Sequence, residues 1–234
     1  MDLSADLPPP LAFFETIDAT WPAARRWEAA GWTRREGAGG GSRVSAATAL
    51  AAPQIAEAGP LVMIRPGQAA LDAALADAGY AVKDPTRVMV AEAAALPPPP
   101  PGPRTIAGEA PIALMEEIWA AGGIGPERLA VMARAAGPKV YLAGRVGDRP
   151  AGCAFVGAHR DIAMLHALEI AAPFRRSGLG RDLTLAAGLW AHDEGARWLS
   201  LLVTEANAPA RALYAAMGFR DIGGYHYRIK EDAP

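Results

Sequence analysis

Pro173-Phe174-Arg175-Arg176-Ser177-Gly178-Leu179-Gly180-Arg181 decides how this chain is read, because of what stands on either side of it. Before it, Ile162 to Ile170 is an apolar run of strand length. After Gly180, Leu183, Ala187 and Trp190 recur at i, i+4 and i+7, which gives a helix one apolar face, and Gly195 supplies its stop. The nine residues are therefore a strand-to-helix turn. The first amides of a helix have no intrahelical acceptor, and the aligned peptide dipoles place partial positive charge there. Gly178 and Gly180 carry no Cβ, so backbone N–H groups can approach an anion closely, and Arg175, Arg176 and Arg181 add charge around it. A pyrophosphate fits such a turn. Taken alone, the short pattern Arg-x-x-Gly-x-Gly also reads as a tight loop with solvated arginines.

A second pattern follows. Trp198 to Val203 reads as a strand, and Thr204 to Phe219 continues as Asn207-Ala208-Pro209-Ala210-Arg211-Ala212-Leu213-Tyr214-Ala215-Ala216-Met217-Gly218-Phe219. Together the two runs resemble the GNAT superfamily of acyl-CoA-dependent N-acetyltransferases. The family's pyrophosphate loop, Arg/Gln-x-x-Gly-x-Gly/Ala, is matched by Arg175, Gly178 and Gly180. Its second signature, Asn-x-x-Ala-x-x-x-Tyr-x-x-x-Gly-Phe, is matched by Asn207, Ala210, Tyr214, Gly218 and Phe219. The resemblance covers roughly Arg104 to Lys230. It implies an α/β (α+β) fold, a mixed and mostly antiparallel sheet flanked by helices. It also implies acetyl-CoA as co-substrate, held by Arg175, Arg176, Ser177, Gly178, Leu179, Gly180 and Arg181 with Asn207 and Tyr214. Leu168 and Ile170 would meet the pantetheine arm through their main chain, where the strand splays from its neighbour.

The implied reaction is direct transfer of an acetyl group to a primary amine of a small molecule or peptide within a ternary complex. The amine must lose a proton before it attacks, the developing oxyanion needs N–H donors, and the departing thiolate needs a proton. Tyr214 matches the family tyrosine for the last task. For the base, Glu169 and His166 are the strand residues nearest the expected reaction centre, and Glu169 is preferred. Three positions apart, they fall on opposite faces of a regular strand, so at most one faces the acceptor. His226, between Tyr225 and Tyr227, is a further candidate for substrate contact. Two alternatives stay open: transfer of another acyl or aminoacyl group, and an acyl-CoA-binding module without turnover.

Composition narrows the field. A net charge of −2 over 234 residues gives no non-specific nucleic-acid footprint, and no apolar run is long enough to span a membrane. Met1-Asp2 opens without a basic segment and apolar core, so the expected location is the cytoplasm, as a monomer or homodimer. The single cysteine, Cys153, lies in an apolar run and reads as packed rather than reactive, and the four histidines show no metal-ligand spacing.

The clearest boundary is the proline run Leu96 to Pro103, which locks φ and removes donors. It divides the chain into 1–96, a linker at 97–103 and a catalytic domain at 104–234. In the first part, Phe13 to Ala30 offers a helix containing Trp21-Pro22. A hairpin is expected from Trp32–Glu36 and Arg43–Leu50 around the glycines Gly37 to Gly41, which read as a turn and not as a dinucleotide fingerprint. From Leu61 the pattern runs strand, helix (Gln68 to Ala78), Gly79-Tyr80, strand. Gly79 and Gly218 are 139 positions apart, and the same offset pairs Tyr80 with Phe219, Leu75 with Tyr214 and Gln68 with Asn207. The match suggests an internal repeat. The first part is then a degenerate GNAT-like module, with Leu75 in place of the tyrosine and no phosphate loop. In the second part, Pro111–Ala121 and Pro126–Ala136 are helices. Trp119 and Ile124 either line an acceptor pocket or pack on the sheet.

Overall fold

The computed structural model describes residues 7–102 and 104–230. Residues 1–6 with the Met1-Asp2 start, Pro103 at the end of the proline run and residues 231–234 lie outside them. In chain order the elements are α1 (Pro10–Thr20), β1 (Arg25–Ala29), β2 (Trp32–Glu36), α2 (Ser42–Ser45), β3 (Thr48–Ala49), β4 (Leu61–Ile64), α3 (Ala69–Asp77), β5 (Ala81–Glu92), β6 (Thr105–Gly108), α4 (Ala113–Ala121), α5 (Pro126–Arg134), β7 (Lys139–Val146), β8 (Arg149–His159), β9 (Ile162–Ile170), α6 (Leu179–Asp193), β10 (Trp198–Thr204), α7 (Ala208–Ala216) and β11 (Arg220–Ile229). They form two compact units, neither of which is a continuous stretch. One takes the chain up to Pro22, Ala91–Ile124 and Ala135–Ser200; the other takes Ala23–Val90, Gly125–Arg134 and the chain from Leu201 onward. Each unit thus draws on sequence from both sides of the proline run.

In the first unit, β9, β8, β7 and β6 form an antiparallel sheet in that order. Its two faces follow from the period of two along β8. Gly152 faces α6, where an added Cβ would meet Leu179, whereas Cys153 faces α4, its thiol 3.7 Å from the Met115 carbonyl. Gly157 abuts Thr20 of α1. Gly144 and Gly152 are direct cross-strand partners, and a Cβ on either would press on Leu179 at 2.9 and 3.2 Å. The bare patch lets the first residue of α6 dock flat on the sheet, fully buried; burial of such a leucine is worth about 1.5–3 kcal/mol.

In the second unit, β1, β2 and β3 form a small antiparallel sheet. Trp32, Val62, Ile64, Leu75 and Tyr80 share one core. The larger sheet of this unit has the order β4-β11-β5-β10, with β11 antiparallel to both β4 and β5. Strands from the two halves of the sequence therefore alternate. The 139-residue offset carries Ala69–Asp77 onto Ala208–Ala216 and the first residue of β5 onto the first residue of β11. It also carries the pair Arg220↔Val90 onto Ala81↔Ile229 and Asp221↔Met89 onto Val82↔Arg228, while Thr86↔Tyr225 maps onto itself. The sheet has a local pseudo-two-fold axis at Thr86 and Tyr225. Even the irregularities correspond, since Asp84 (φ 47°) and Gly223 (φ 111°) occupy equivalent positions.

Two elements of the sequence reading are corrected. The first helix ends at Thr20, and Arg25–Ala29 is a strand. Pro22 disfavours helical geometry at Trp21, whose φ of −137° and ψ of 65° break the helix there. The partner of Trp32–Glu36 is this new strand, so the hairpin turns at Ala30-Gly31; Arg43 sits in a four-residue helical turn and only Thr48–Ala49 is extended. The glycines at 37–41 do form a turn, closed by Gly40 N–H to the Gly37 carbonyl at 2.9 Å. α5 covers it, with Val131 against Gly40.

Candidate active site

The first unit holds the phosphate-type loop and the strand before it. After β9 the chain makes one 3-10 turn at Ala172–Phe174, passes Arg176 at φ 66° and reaches Gly178, the N-cap of α6, at φ 84°. The left-handed conformation explains glycine at 178, and an added Cβ there would meet nothing within 4 Å. The space beside the Gly178 α-carbon is thus open, which suits the approach of a phosphate. Arg175, Arg176, Ser177, Gly178 and Arg181 are exposed, while Gly180 is half-buried. Leu179 turns its side chain into the sheet and can offer only main chain. Arg104 braces the loop from below, its guanidinium 2.6 Å from the buried Asp182 carboxylate and 3.4 Å from the Ser177 carbonyl. Asp182 in the first turn of α6 also suits the positive end of the helix.

β9 is not a regular strand where it approaches this loop. Cys153 pairs with Glu169 and Phe155 with His166, so Ala167 and Leu168 together stand opposite Ala154. This is a β-bulge, and Ala167 takes φ 50°. The extra residue corrects the expected alternation: Glu169 and His166 lie on the same face, the one occupied by Cys153 and Phe155. Their surroundings separate them. His166 is buried between Trp21 and Phe155, ring centroids 5.0 and 6.0 Å away, and its Nε2 is 2.8 Å from Thr20 Oγ1. Glu169 keeps 19 % of its side chain exposed and sits 3.2 Å from Arg175 Nη2, while Arg175 Nε donates to the Ile170 carbonyl at 3.2 Å. Arg175 thereby ties the loop to the end of β9. Leu168 and Ile170 are half-buried on this stretch.

α4 closes over the bulge. Trp119 is fully buried and its indole N–H donates to the Ala167 carbonyl at 2.7 Å; a Cβ on Gly122 would lie 2.6 Å from the Glu169 carboxyl carbon. Trp119 is thus a packing residue with a polar duty, which apolar periodicity does not reveal. Arg104 likewise escapes sequence reading, standing 78 positions from its Asp182 partner. Cys153 is fully buried and its thiol is pushed well above the ordinary range, first by burial and then by the Glu169 charge, so it is inert.

The second unit holds the second motif. Asn207 caps α7, its side chain accepting from the Ala210 N–H at 3.2 Å. At the other end Phe219 N–H bonds to the Tyr214 carbonyl and Gly218 N–H to the Ala215 carbonyl, both at 3.0 Å, with Gly218 at φ 91°. This is the Schellman arrangement, and its accompanying apolar contact is the Tyr214–Phe219 ring pair at 5.7 Å. Burial pushes the Tyr214 hydroxyl up to about 12, so it stays protonated at neutral pH. His226 is paired with Asp72 at 2.8 Å, beside Arg228 at 2.6 Å.

Among the described residues no helix is long and apolar enough to cross a membrane, and no group of three His, Cys, Asp or Glu is placed to hold a metal ion. Comparison with known proteins gives no match among curated proteins. Solved structures share the fold. A GCN5-related N-acetyltransferase from Kribbella flavida superposes with a TM-score of 0.69 at 18% identity, covering 97% of each chain. A putative GNAT-family acetyltransferase from Novosphingobium aromaticivorans gives 0.57 at 18% identity, covering 87% of this chain and 89% of its own. A tandem GNAT protein from the clavulanic acid biosynthesis pathway gives 0.56 at 16% identity over 76% of this chain and 66% of its own. The model of the Acetyltransferase (GNAT) family matches residues 112–219, which include both motifs. Residues 112–219 are thus a GNAT-family acetyltransferase domain, and acyl-CoA-dependent acetyl transfer is the general chemistry of that family.

Proposed function

We propose that the chain is an acetyl-CoA-dependent N-acetyltransferase acting on a primary amine of a small molecule or peptide. The observation that carries this reading is the open, left-handed Gly178 at the start of a docked α6, next to the bulged end of β9. Acetyl-CoA, the co-substrate, supplies the acetyl thioester. Amides of Gly178, Leu179 and Gly180, with Arg176, Ser177 and Arg181 around them, bind its phosphates as a helix N-terminus binds anions. Arg175 joins them or keeps its place on Glu169. Main-chain groups of Leu168 and Ile170 run along the pantetheine arm, and N–H donors at the bulge meet the thioester carbonyl oxygen. Glu169 accepts a proton from the incoming ammonium, directly or through water. Tyr214 and Asn207 are assigned on the motif: Tyr214 gives a proton or a hydrogen bond to the departing thiolate, and its raised pKa keeps the hydroxyl in the protonated, donating form while making it a weaker acid.

The repeat supports a second element of the proposal. The regions before and after the proline run derive from two GNAT-like modules, 1–96 and 104–234, whose closing strands β5 and β11 are interleaved. The first module has lost the tyrosine and any phosphate loop, and its role is structural or substrate-shaping. Cytoplasmic location and a monomeric or homodimeric state belong to the same proposal, with no nucleic-acid or membrane partner.

Thermal-shift titration with acetyl-CoA tests the reading. A ligand at one hundred times its dissociation constant adds about 2.7 kcal/mol of stability. A saturable shift is expected, together with its loss in Gly178→Val, where a β-branched residue cannot hold φ 84° beside the phosphates. No shift up to millimolar acetyl-CoA in the wild-type protein sinks the proposal.

A further inference from the structure

We infer that Trp119 is a positioning residue for acyl transfer, a clamp that holds the β9 bulge in its reactive shape; the functional half of this inference rests on the reading above. An alanine at φ 50° inside a strand is strained, and such strain persists only where the surroundings over-determine it. At Ala167 the β8 ladder cannot do so, because the bulge interrupts it at this residue. α4 supplies support on the face of the sheet. The Trp119 indole is fully buried, so its N–H must find an acceptor inside the protein, and it finds the Ala167 carbonyl at 2.7 Å. Its ring is itself fixed edge-on against Tyr141, centroids 6.3 Å apart. One turn later Gly122 presents a bare α-carbon to the Glu169 carboxyl, where any side chain would collide. The last turn of α4 therefore grips residues 167 and 169 and brackets Leu168 between them. A slack bulge would misdirect the Leu168 main chain and Glu169 together, with no change in any group that touches the donor phosphates.

Trp119→Phe, Ala167→Gly and the double variant test this in the full chain. Trp119→Phe keeps an aromatic ring and removes the donor. Loss of one buried hydrogen bond predicts an acetyl-CoA dissociation constant raised about tenfold. Amide hydrogen exchange at residues 167–170 should also become faster. Glycine holds a positive φ without help, so adding Ala167→Gly should bring the dissociation constant back to within about threefold of wild type. The loss of melting temperature from the smaller ring should stay, since Ala167→Gly repacks nothing; a merely structural role for Trp119 would leave binding and stability moving together. Ala167→Val strains the bulge without touching Trp119, and should weaken binding even if Trp119→Phe folds poorly. Unchanged exchange and affinity in Trp119→Phe, or no rescue by Ala167→Gly, overturns the clamp. If the wild-type protein binds no acetyl-CoA, the acyl-transfer reading falls by itself, and the exchange rates still decide whether Trp119 holds the bulge.

Discussion

The second unit contains the same strand-helix-strand twice, and only one copy carries the family motif. α3 and α7 coincide residue for residue at an offset of 139. Both end in a Schellman cap: Tyr80 N–H to Leu75 carbonyl and Gly79 N–H to Ala76 carbonyl in α3, Phe219 to Tyr214 and Gly218 to Ala215 in α7. Glycine at the left-handed position and an aromatic after it are thus demanded by helix termination, with or without chemistry. Two of the three specified residues of Tyr-x-x-x-Gly-Phe are folding instructions. Asn207 has a structural duty too, capping α7, whereas Gln68 turns its side-chain oxygen away from α3 to the Arg65 N–H at 2.8 Å. What remains without a structural counterpart is the Tyr214 hydroxyl. Leu75 fills the equivalent place, fully buried and without a hydroxyl.

The largest expected effect follows from that subtraction. Tyr214→Phe removes only the atom that α3 does without, so the fold and the Phe219 contact should survive. Turnover should fall about 100-fold if the hydroxyl protonates the leaving thiolate. Acetyl-CoA affinity, measured by titration, should stay within about threefold of wild type. Steady-state kinetics beside a melting curve checks this, and unchanged turnover in a stable Tyr214→Phe would reduce the tyrosine to the packing role of Leu75.

The comparison also marks what the sequence could tell. Local signals were legible: the apolar run of β9, the apolar face of α6, the Gly178 turn and the helix stop at Gly195 all fall where periodicity and glycine place them. Pairing across the chain was not. That β11 slips between β4 and β5 depends on non-local register, to which no residue in Arg220–Ile229 points. The bulge was hidden for another reason, since alanine gives no warning that it will take φ 50°. Without the bulge, alternation along β9 sent Glu169 and His166 to opposite faces. The roles of Trp119 and Arg104 were invisible because each depends on one long-range partner, Ala167 and Asp182.

A second prediction sharpens the repeat where the two copies invert their charge. Asp72 of α3 corresponds to Arg211 of α7, and only Asp72 has made itself part of a cluster. Arg228 Nε lies at 2.6 Å and His226 Nε2 at 2.8 Å. The Arg228 hydrogen bond, with that of His226 and both positive charges, outweighs partial burial and lowers the Asp72 pKa below 3.8. A depressed folded-state value means that the ionised form stabilises the fold. That contribution is complete above the ordinary carboxylate pKa and is lost as pH falls through the lowered one. Asp72→Asn should therefore cost about 1.5 kcal/mol at pH 7, and the gap to wild type should close below about pH 4. Denaturant melts at the two pH values check it. A gap that widens on acidification would mean that Asp72 acts through something other than its charge.

The smallest expected effect separates the two N-caps. Asn207→Ala removes an acceptor from the Ala210 N–H and should destabilise by about 1 kcal/mol, which for a chain of this size lowers the melting temperature by roughly 2–4 °C. Gln68→Ala at the equivalent position removes no helix cap, only the bond to Arg65 N–H beside an accessible turn, and should cost about 0.5 kcal/mol. The difference matters for function because the motif asparagine carries two possible duties at once. If Asn207→Ala loses only its share of stability while acetyl-CoA affinity holds, the asparagine is in the signature for the same reason as Gly218 and Phe219, to end a helix properly. If affinity falls further than stability, Asn207 reaches beyond its own cap, and Gln68, which caps nothing, shows what the first copy gave up along with its tyrosine.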